Sequence, residues 1–347
     1  MNNFLKNYIS TIIFIFLTYI FYSQIPFYQN FLLKDFSFKF INITFNSIII
    51  YKSIIVLYII FLIPFYIYFK EKSKARIILN YIYKKIKNIK YKITKKEQTS
   101  ILAWLVKIFF APLMILWLTI HIVTTLNNLY LSSLDISFLT SHFYLYFNKH
   151  FFYLFLSLIL FFDVLFFTLW YLIESPKLKN TIKSVDSTFL WWFVVLLCYP
   201  PFNTYTTNII WWYSAEFPHF NNIYIHLILN ISILILMWIY SWASISLWLK
   251  ASNLTNRWIV KKWPYKYVRH PAYISKNIVW WIWWLPLLIY NISALQFKHF
   301  FIVLFSLIAW SSIYYLRAIT EEKHLSKDND YIKYKKEVKY KFIPKIY

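Results

Sequence analysis

The sequence predicts an all-α, polytopic integral membrane protein with about eight transmembrane helices, the last two forming a C-terminal hairpin. The chain is 60% hydrophobic and only 14% charged, which is too apolar for an ordinary soluble domain. Apolar runs of nearly twenty residues recur along it, and each is long enough to cross a bilayer as a helix. Because irregular backbone cannot face lipid, helices are the expected form of these runs.

The apolar runs define the candidate spans, of which the fifth and seventh are the least regular because they are short or have polar flanks. In chain order they cover residues 8–26, 47–69, 101–123, 150–173, 188–203, 222–249, 272–291 and 297–317.

Basic residues alternate between the connecting loops. Loop 70–98 carries eleven Lys and Arg, loop 174–187 three, loop 250–276 seven and the tail 317–347 nine. The intervening loops carry two, one and none. By the positive-inside rule, this alternation places both termini in the cytoplasm. We expect the plasma membrane of a bacterium to be the location.

The formal charge of +24 points to anionic membrane lipids as partners, because the charge lies in loops between apolar runs. No zinc-knuckle, RNP or helix-turn-helix pattern is present, so nucleic acid is not an expected partner. The single cysteine, Cys198, excludes an intrachain disulfide and a cysteine-based zinc site, and no metal is expected.

We divide the chain into an N-terminal transmembrane region, 1–220, and a C-terminal domain, 221–347. Loop 70–98 has isoleucines and a leucine spaced three and four residues apart with lysines between them, which predicts a basic amphipathic helix on the inner leaflet. The tail 321–347 is predicted to form a second such helix, capped by Asp328 or Asp330 and ended by Pro344. This tail either lies on lipid or covers a site.

The segment KKWPYKYVRHPAYISK, residues 261–276, gathers lysines, tyrosines, Arg269 and His270 at one membrane edge. Pro271 suits the first turn of a helix, so the seventh span is predicted to start there. The N–H groups and partial positive charge of a helix start, together with Arg269, favour binding of a carboxylate or phosphate.

The eighth span returns to the same edge and ends with Glu321 and Glu322. Both carboxylates oppose the helix dipole and repel each other, which indicates that at least one has a use. Neighbouring helical residues point about 100° apart, so only one is expected to meet a given ligand atom. The hairpin thus brings an anion site near a cation site, as a free amino-acid moiety requires. Tyr265, Tyr267 and Tyr273 add flat surfaces for a purine or a sulfonium. Anchoring in the lipid headgroups explains the same residues without a ligand.

The ordered set of RHPAY, a short hairpin, EE and a C-terminal FIP resembles the isoprenylcysteine carboxyl methyltransferase family and the related phospholipid methyltransferases. The likeness covers roughly residues 250–345. It implies a membrane methyltransferase that uses S-adenosylmethionine, with the hairpin as the cofactor-binding element. The residues that it assigns to the cofactor are Tyr265, Arg269, His270, Tyr273, Glu321 and Glu322. His270 as a structural helix cap stays an alternative.

The chain has 17 tryptophans and no glycine, where about 24 glycines would be usual. The family pattern has glycine where this chain has Trp258 and Trp263. We hypothesise that many of the tryptophans are glycines in the native protein, because some bacteria read UGA as glycine. With tryptophan at these positions, we expect a crowded site.

The methyl acceptor is expected to be a lipid or a lipidated small molecule. Prenylated cysteine, an aminolipid and a quinone-like lipid all stay open. A carboxylate acceptor needs no general base; for an amine acceptor, His324 is a loose candidate, although we expect it to face solvent. An NADPH-dependent membrane reductase and a non-catalytic membrane protein are the alternative functions. Lys107 and Asp163, the main charges within spans, are candidates for a mutual ion pair.

Overall fold

The computed structural model describes residues 3–210, 220, 222–251 and 253–344. The protein is mostly helical, at 74%, with little sheet. Within the described part of the chain, six helices are long and apolar enough to cross a membrane. They are Asn3–Ser23, Ser47–Tyr68, Lys95–Leu134, Phe143–Leu172, Ile223–Ser246 and Phe297–Leu325.

The first third of the chain builds a helical group with one short hairpin. Its elements are α1 (Asn3–Ser23), α2 (Pro26–Leu32), β1 (Asp35–Phe38), β2 (Ile43–Asn46), α3 (Ser47–Tyr68), α4 (Lys74–Lys87) and α5 (Lys95–Leu134). Strands β1 and β2 pair antiparallel, with Asp35 opposite Asn46. The 40-residue α5 begins with a capping box, in which Thr94 and Glu97 satisfy each other's backbone N–H groups.

The middle of the chain contains one long helix and several short ones. The elements are α6 (Phe138–Ser141), α7 (Phe143–Tyr146), a π-helical turn (Phe147–Phe151), α8 (Phe152–Leu172), a 3₁₀ turn (Pro176–Leu178), β3 (Ser184–Val185), α9 (Phe189–Leu196) and α10 (Phe202–Ile209). The fifth predicted span, 188–203, is therefore not one helix. Pro200 and Pro201 lie where it breaks, and proline cannot continue a helix interior.

The C-terminal part carries the predicted hairpin. Its elements are α11 (Ile223–Ser246), a 3₁₀ turn (Trp248–Lys250), β4 (Thr255–Asn256), α12 (Pro271–Ser293), α13 (Phe297–Leu325) and α14 (Asn329–Glu337). Helix α12 starts at Pro271, as predicted. It has 23 residues but is not among the six helices above that are long and apolar enough to cross a membrane, so the predicted count of eight spans is not confirmed in the described residues.

The tail helix α14 begins as predicted and ends earlier. The Asp328 side chain caps it by accepting a hydrogen bond from the N–H of Asp330. The last helical residue is Glu337, so Pro344 does not end the helix. Tyr331, Tyr334 and Val338 are buried against Ile259, Tyr265 and Leu325, which anchors the tail to the loop before α12.

The four basic segments predicted to share one membrane side are in contact with one another. Lys74 of the first forms an ion pair with Glu174 of the second. Strand β3 pairs antiparallel with β4, so Ser184 of the second lies opposite Asn256 of the third. The Asn256 side chain in turn donates a hydrogen bond to Asp328 of the tail, at 2.8 Å. These segments therefore form one edge of the molecule, and its cytoplasmic orientation stays a prediction.

Tryptophans fill the core between α12 and α13. Trp280, Trp284 and Trp310 are buried there with Leu307 and Tyr314. The sequence WWIWWLPLL lies within α12 and thus places large side chains at the interface with α13, where small residues would have allowed closer approach of the two helices.

Candidate functional site at the start of α12

The end of the loop before α12 and the last turns of α13 meet at the edge described above. The Arg269 Nε donates to Glu322 Oε1 at 2.7 Å, and both side chains are buried. His270 Nε2 lies 3.2 Å from the same oxygen. The structure therefore brings together the arginine, the histidine and one of the carboxylates that the sequence singled out.

The C-terminal tail uses the hydrogen-bonding capacity of this helix start. Arg269 Nη1 donates to the carbonyls of Val338 and Lys339, at 2.8 and 2.6 Å. The N–H groups of Arg269 and His270 donate to the carbonyls of Tyr340 and Lys341, each at 3.0 Å. The donors expected to hold an anionic ligand thus hold the tail against α12.

Glu322 is surrounded by cations. Besides Arg269 and His270, the ammonium groups of Lys335 and Lys341 lie 3.7 and 3.9 Å from its Oε2. The partners of Glu322 thus come from the start of α12 and from the tail, and Arg317 is not one of them. Such a buried carboxylate, compensated on both oxygens, has the character of a structural ion cluster.

Glu321 has a different environment, as expected for neighbours on a helix. Its Oε2 accepts a hydrogen bond from the Tyr273 hydroxyl at 2.7 Å and lies 3.9 Å from His270 Nδ1. Its side chain is 29% exposed, against 6% for Glu322. Glu321 lines a cavity and Glu322 does not.

This cavity lies between the loop before α12, the cytoplasm-facing turns of α11–α13 in the predicted orientation, and α14. It encloses about 1110 Å³ of empty space, part of which is open to solvent. Among the described residues, its titratable lining comprises the cations Lys250, Arg257, Arg269, Lys276 and Arg317, the carboxylate Glu321, His270, and the tyrosines 199, 240, 265, 273, 314, 331 and 334.

Arg317 is a buried cation beside the ring of Tyr273. Its Cζ lies 5.2 Å from the centre of the Tyr273 ring, and its Nη2 donates to Asn253 Oδ1 at 3.0 Å. Its Nε is buried and has no hydrogen-bond partner among the described residues. An unsatisfied guanidinium N–H in such a cavity is suited to an anionic ligand.

Lys276 approaches the same cavity from the second turn of α12. Its Nζ lies 5.5 to 5.7 Å from the ring centres of Tyr240, Trp280 and Tyr314. The rings attract the ammonium through their negative faces. Neither Lys276 nor Arg317 belongs to a sequence motif. Lys276 lies three residues after Tyr273 on α12, and Arg317 lies four residues before Glu321 on α13. These helical spacings are the only sequence signal that could have predicted their place at the site.

The predicted tyrosines separate into two groups. Tyr265 and Tyr273 line the cavity, whereas Tyr267 is 55% exposed and lies outside it. Burial, and then the nearby Glu321, raise the pKa of Tyr265 well above its usual value. Tyr265 is also fixed through its carbonyl, which accepts from the Tyr334 hydroxyl at 2.8 Å.

His324 does not line this cavity. It was expected to face solvent, but it is buried. Its Nδ1 lies 2.9 Å from Asp186 Oδ2, its Nε2 lies 3.1 Å from Ser184 Oγ, and it is only 3% exposed. Both ring nitrogens thus have partners in the β3 segment, which gives His324 a structural role and removes it as a candidate base.

The tryptophans at the predicted glycine positions leave the cavity open. Trp258 lines it and is 40% exposed, while Trp263 packs outside it on Trp238 and Trp242, with ring centres 5.6 and 6.0 Å apart. Neither has a positive φ, but Trp248 does, at 51°. A bulky residue with a positive φ is a backbone outlier, and glycine is the residue that adopts a positive φ without cost.

Comparison with protein-family models, with curated proteins and with solved structures gave no match to this chain. The resemblance to the methyltransferases therefore rests on the motifs quoted above. In the described residues, no group of three or more His, Cys, Asp or Glu is placed to hold a metal ion.

Proposed function

We propose that the protein is a membrane-embedded methyltransferase that uses S-adenosylmethionine and acts on a lipid-soluble acceptor. The observation that carries the proposal is the arrangement around Tyr273. Its hydroxyl contacts the carboxylate of Glu321, and its ring contacts the guanidinium of Arg317. A carboxylate and a guanidinium thus lie against the same tyrosine side chain in one cavity. An amino-acid moiety carries the complementary pair of charges, an ammonium and a carboxylate.

The residues fit the cofactor in the following roles. Glu321 binds the ammonium, and Arg317 and Lys276 bind the carboxylate. The tyrosine rings bind the adenine by stacking and the sulfonium by cation–π attraction. Arg269, His270 and Glu322 hold the tail over the cavity, and Tyr265 and Tyr334 connect the tail to the loop. This division of labour gives the predicted residues Arg269 and Glu322 an indirect part in binding.

When bound, the cofactor supplies an activated methyl group together with its leaving group. The chain's own task is then to orient the acceptor and exclude water. An apolar groove between α12 and α13 reaches the same place, since Tyr273 and Tyr314 line both it and the cavity. Ile278 and Ile308 make the groove apolar, and Phe342 of the tail also lines it. A lipid acceptor enters along this groove.

Cofactor binding to the purified protein in detergent tests the proposal. Glu321→Gln keeps the shape and removes the charge; loss of one charged hydrogen bond, about 1.5–3 kcal/mol, weakens S-adenosylmethionine binding roughly 10- to 150-fold. Lys323→Gln, an exposed change on the same helix, is the matched control and keeps wild-type affinity. Equal affinity of wild type and Glu321→Gln in calorimetry contradicts the assignment.

An NADPH-dependent reductase is the second candidate, favoured by the excess of cations in the cavity. The cavity is lined by five Lys and Arg side chains and by one carboxylate. Such a positively charged surface attracts phosphate groups. The same calorimetry with NADPH separates the two. Binding of NADPH without S-adenosylmethionine supports the reductase, and binding of neither supports a non-catalytic protein.

A further inference from the structure

A second cavity lies in the N-terminal region, away from the site above. Helices α1, α3 and α5 form its walls, and the start of α4 with residues 172–176 closes it at the basic edge. It encloses about 1190 Å³ of empty space, part of which is open to solvent.

The basic edge of this cavity holds a cluster of charges. Glu174 forms an ion pair with Lys74 through one oxygen and with Lys107 through the other, the latter at 2.8 Å. All three side chains are at most 17% exposed. Glu71 and Lys72, both exposed, add opposite charges at the rim.

Positive charge exceeds negative charge around Glu174. Burial alone would raise the pKa of this carboxyl, yet Lys107, Lys74 and Arg257 together hold it well below its usual value. The excess of positive charge also affects Lys74. Burial and then the charge of Lys107 lower the pKa of the Lys74 ammonium, although Glu174 lies beside it. An additional anion at this place compensates both lysines.

The rest of the cavity is elongated and lined mainly by aliphatic and aromatic side chains, together with the hydroxyl-bearing residues Thr11, Thr18, Tyr19, Tyr51, Tyr58 and Tyr66. Its residues on α5 run from Trp104 to Ile115, which is about 16 Å along the axis at 1.5 Å per residue. Ile15, Ile55 and Leu62 line it from α1 and α3. The Trp104 indole N–H is buried and has no acceptor among the described residues.

We propose that this second cavity binds an anionic amphiphile, with a phosphate or carboxylate headgroup on Lys74 and Lys107 and one hydrocarbon chain between α1, α3 and α5. The two lysines lie at the edge of the cavity and the apolar walls lie inside it. A lipid of the inner leaflet has the matching arrangement, with its headgroup at the edge and its chain inside. The site shares no lining residue with the cofactor cavity, although Arg257 of that cavity acts on Glu174, and it gives the N-terminal region a binding function.

Native mass spectrometry and calorimetry of the protein in phosphatidylcholine nanodiscs test this proposal. The probes are palmitoyl lysophosphatidate, palmitate, palmitoyl lysophosphatidylcholine and inorganic phosphate. We expect one lysophosphatidate or palmitate to bind at least ten times more tightly than either the zwitterionic lipid or phosphate. Equal binding of the zwitterionic lipid overturns the role of the lysines, and equal binding of phosphate overturns the role of the apolar walls.

Variants locate the site. Lys107→Met retains the Lys74–Glu174 pair and is expected to weaken lysophosphatidate binding at least tenfold. Lys149→Met, which removes a 72% exposed lysine elsewhere, has no effect. Ile15→Trp fills the chain end without changing a charge and also weakens binding at least tenfold, so that the test holds if Lys107→Met does not fold. Wild-type affinity in a folded Lys107→Met or Ile15→Trp protein overturns the proposal.

Discussion

Replacement of Arg269 by alanine is expected to release the C-terminal tail. The guanidinium joins three elements, since it bonds Glu322 of α13 and two tail carbonyls from the loop before α12. The variant leaves a buried carboxylate without its nearest cation and two carbonyls without their donor. The main effect is local to the tail, because the long apolar helices keep their packing.

The magnitude follows from the burial of the pair. Removing one partner of a buried ion pair costs about 3–5 kcal/mol. The lower figure applies here, because His270, Lys335 and Lys341 still surround Glu322. About 3 kcal/mol corresponds to a roughly 150-fold larger population of the tail-open state.

Hydrogen exchange measures this population directly. The N–H of His270 donates to the Lys341 carbonyl at 3.0 Å, so its exchange reports tail opening. We expect exchange at His270 and in α14 to accelerate roughly 150-fold in Arg269→Ala, with α11 unchanged. Lys261→Ala is the matched control, because the Lys261–Glu337 pair also joins loop and tail but is 45% and 56% exposed. Such a surface pair is worth about 0–1 kcal/mol, or at most about fivefold. Exchange in Arg269→Ala that equals the wild-type rate refutes the role of Arg269 as the clamp on the tail.

Two further predictions concern stability. Trp248→Gly removes a bulky residue from a positive φ of 51° and is expected to stabilise the protein by up to about 1 kcal/mol. Trp242→Gly, in the interior of α11, is expected to destabilise the protein by about the same amount. A lower melting temperature for Trp248→Gly than for the wild type in detergent contradicts this prediction. Asp186 has a lowered pKa because hydrogen bonds from Thr188 and the charge of His324 outweigh its burial. The stability it contributes is thus present above the unfolded value of about 3.9 and is lost as pH falls through the lower folded value. Melting temperatures measured from pH 5 to pH 2 are expected to fall less steeply in Asp186→Asn, and equal slopes exclude this contribution.

The sequence predicted those parts of the fold that depend on local pattern. Pro271 marked the start of α12 and Asp328 the start of α14, because each residue suits only certain positions of a helix. The break at Pro200 and Pro201 in the fifth predicted span was visible in the sequence as well, but apolar content outweighed it in the assignment.

The candidate site was predictable in its composition and not in its pairing. Adjacent charges on α13 signalled a use for Glu321 and Glu322, and the structure shows that one faces the cavity while the other pairs with Arg269. The expected pair between Lys107 and Asp163 was wrong, since Lys107 binds Glu174 in a loop far along the chain. Such partners depend on tertiary packing, which residue spacing does not encode.

Helix α5 is too long to fit inside a bilayer. Its 40 residues span about 60 Å, and even a tilt of 40° leaves about 46 Å along the membrane normal. The hydrocarbon layer is only about 30 Å thick, so several turns must project into water. The polar first turns, which begin at the Thr94 cap, are the natural projection, and Lys107 then lies near the boundary between lipid and water. In the membrane orientation predicted from the sequence, the helix keeps α4 outside the hydrocarbon layer and places the charged mouth of the second cavity at the depth of the lipid headgroups.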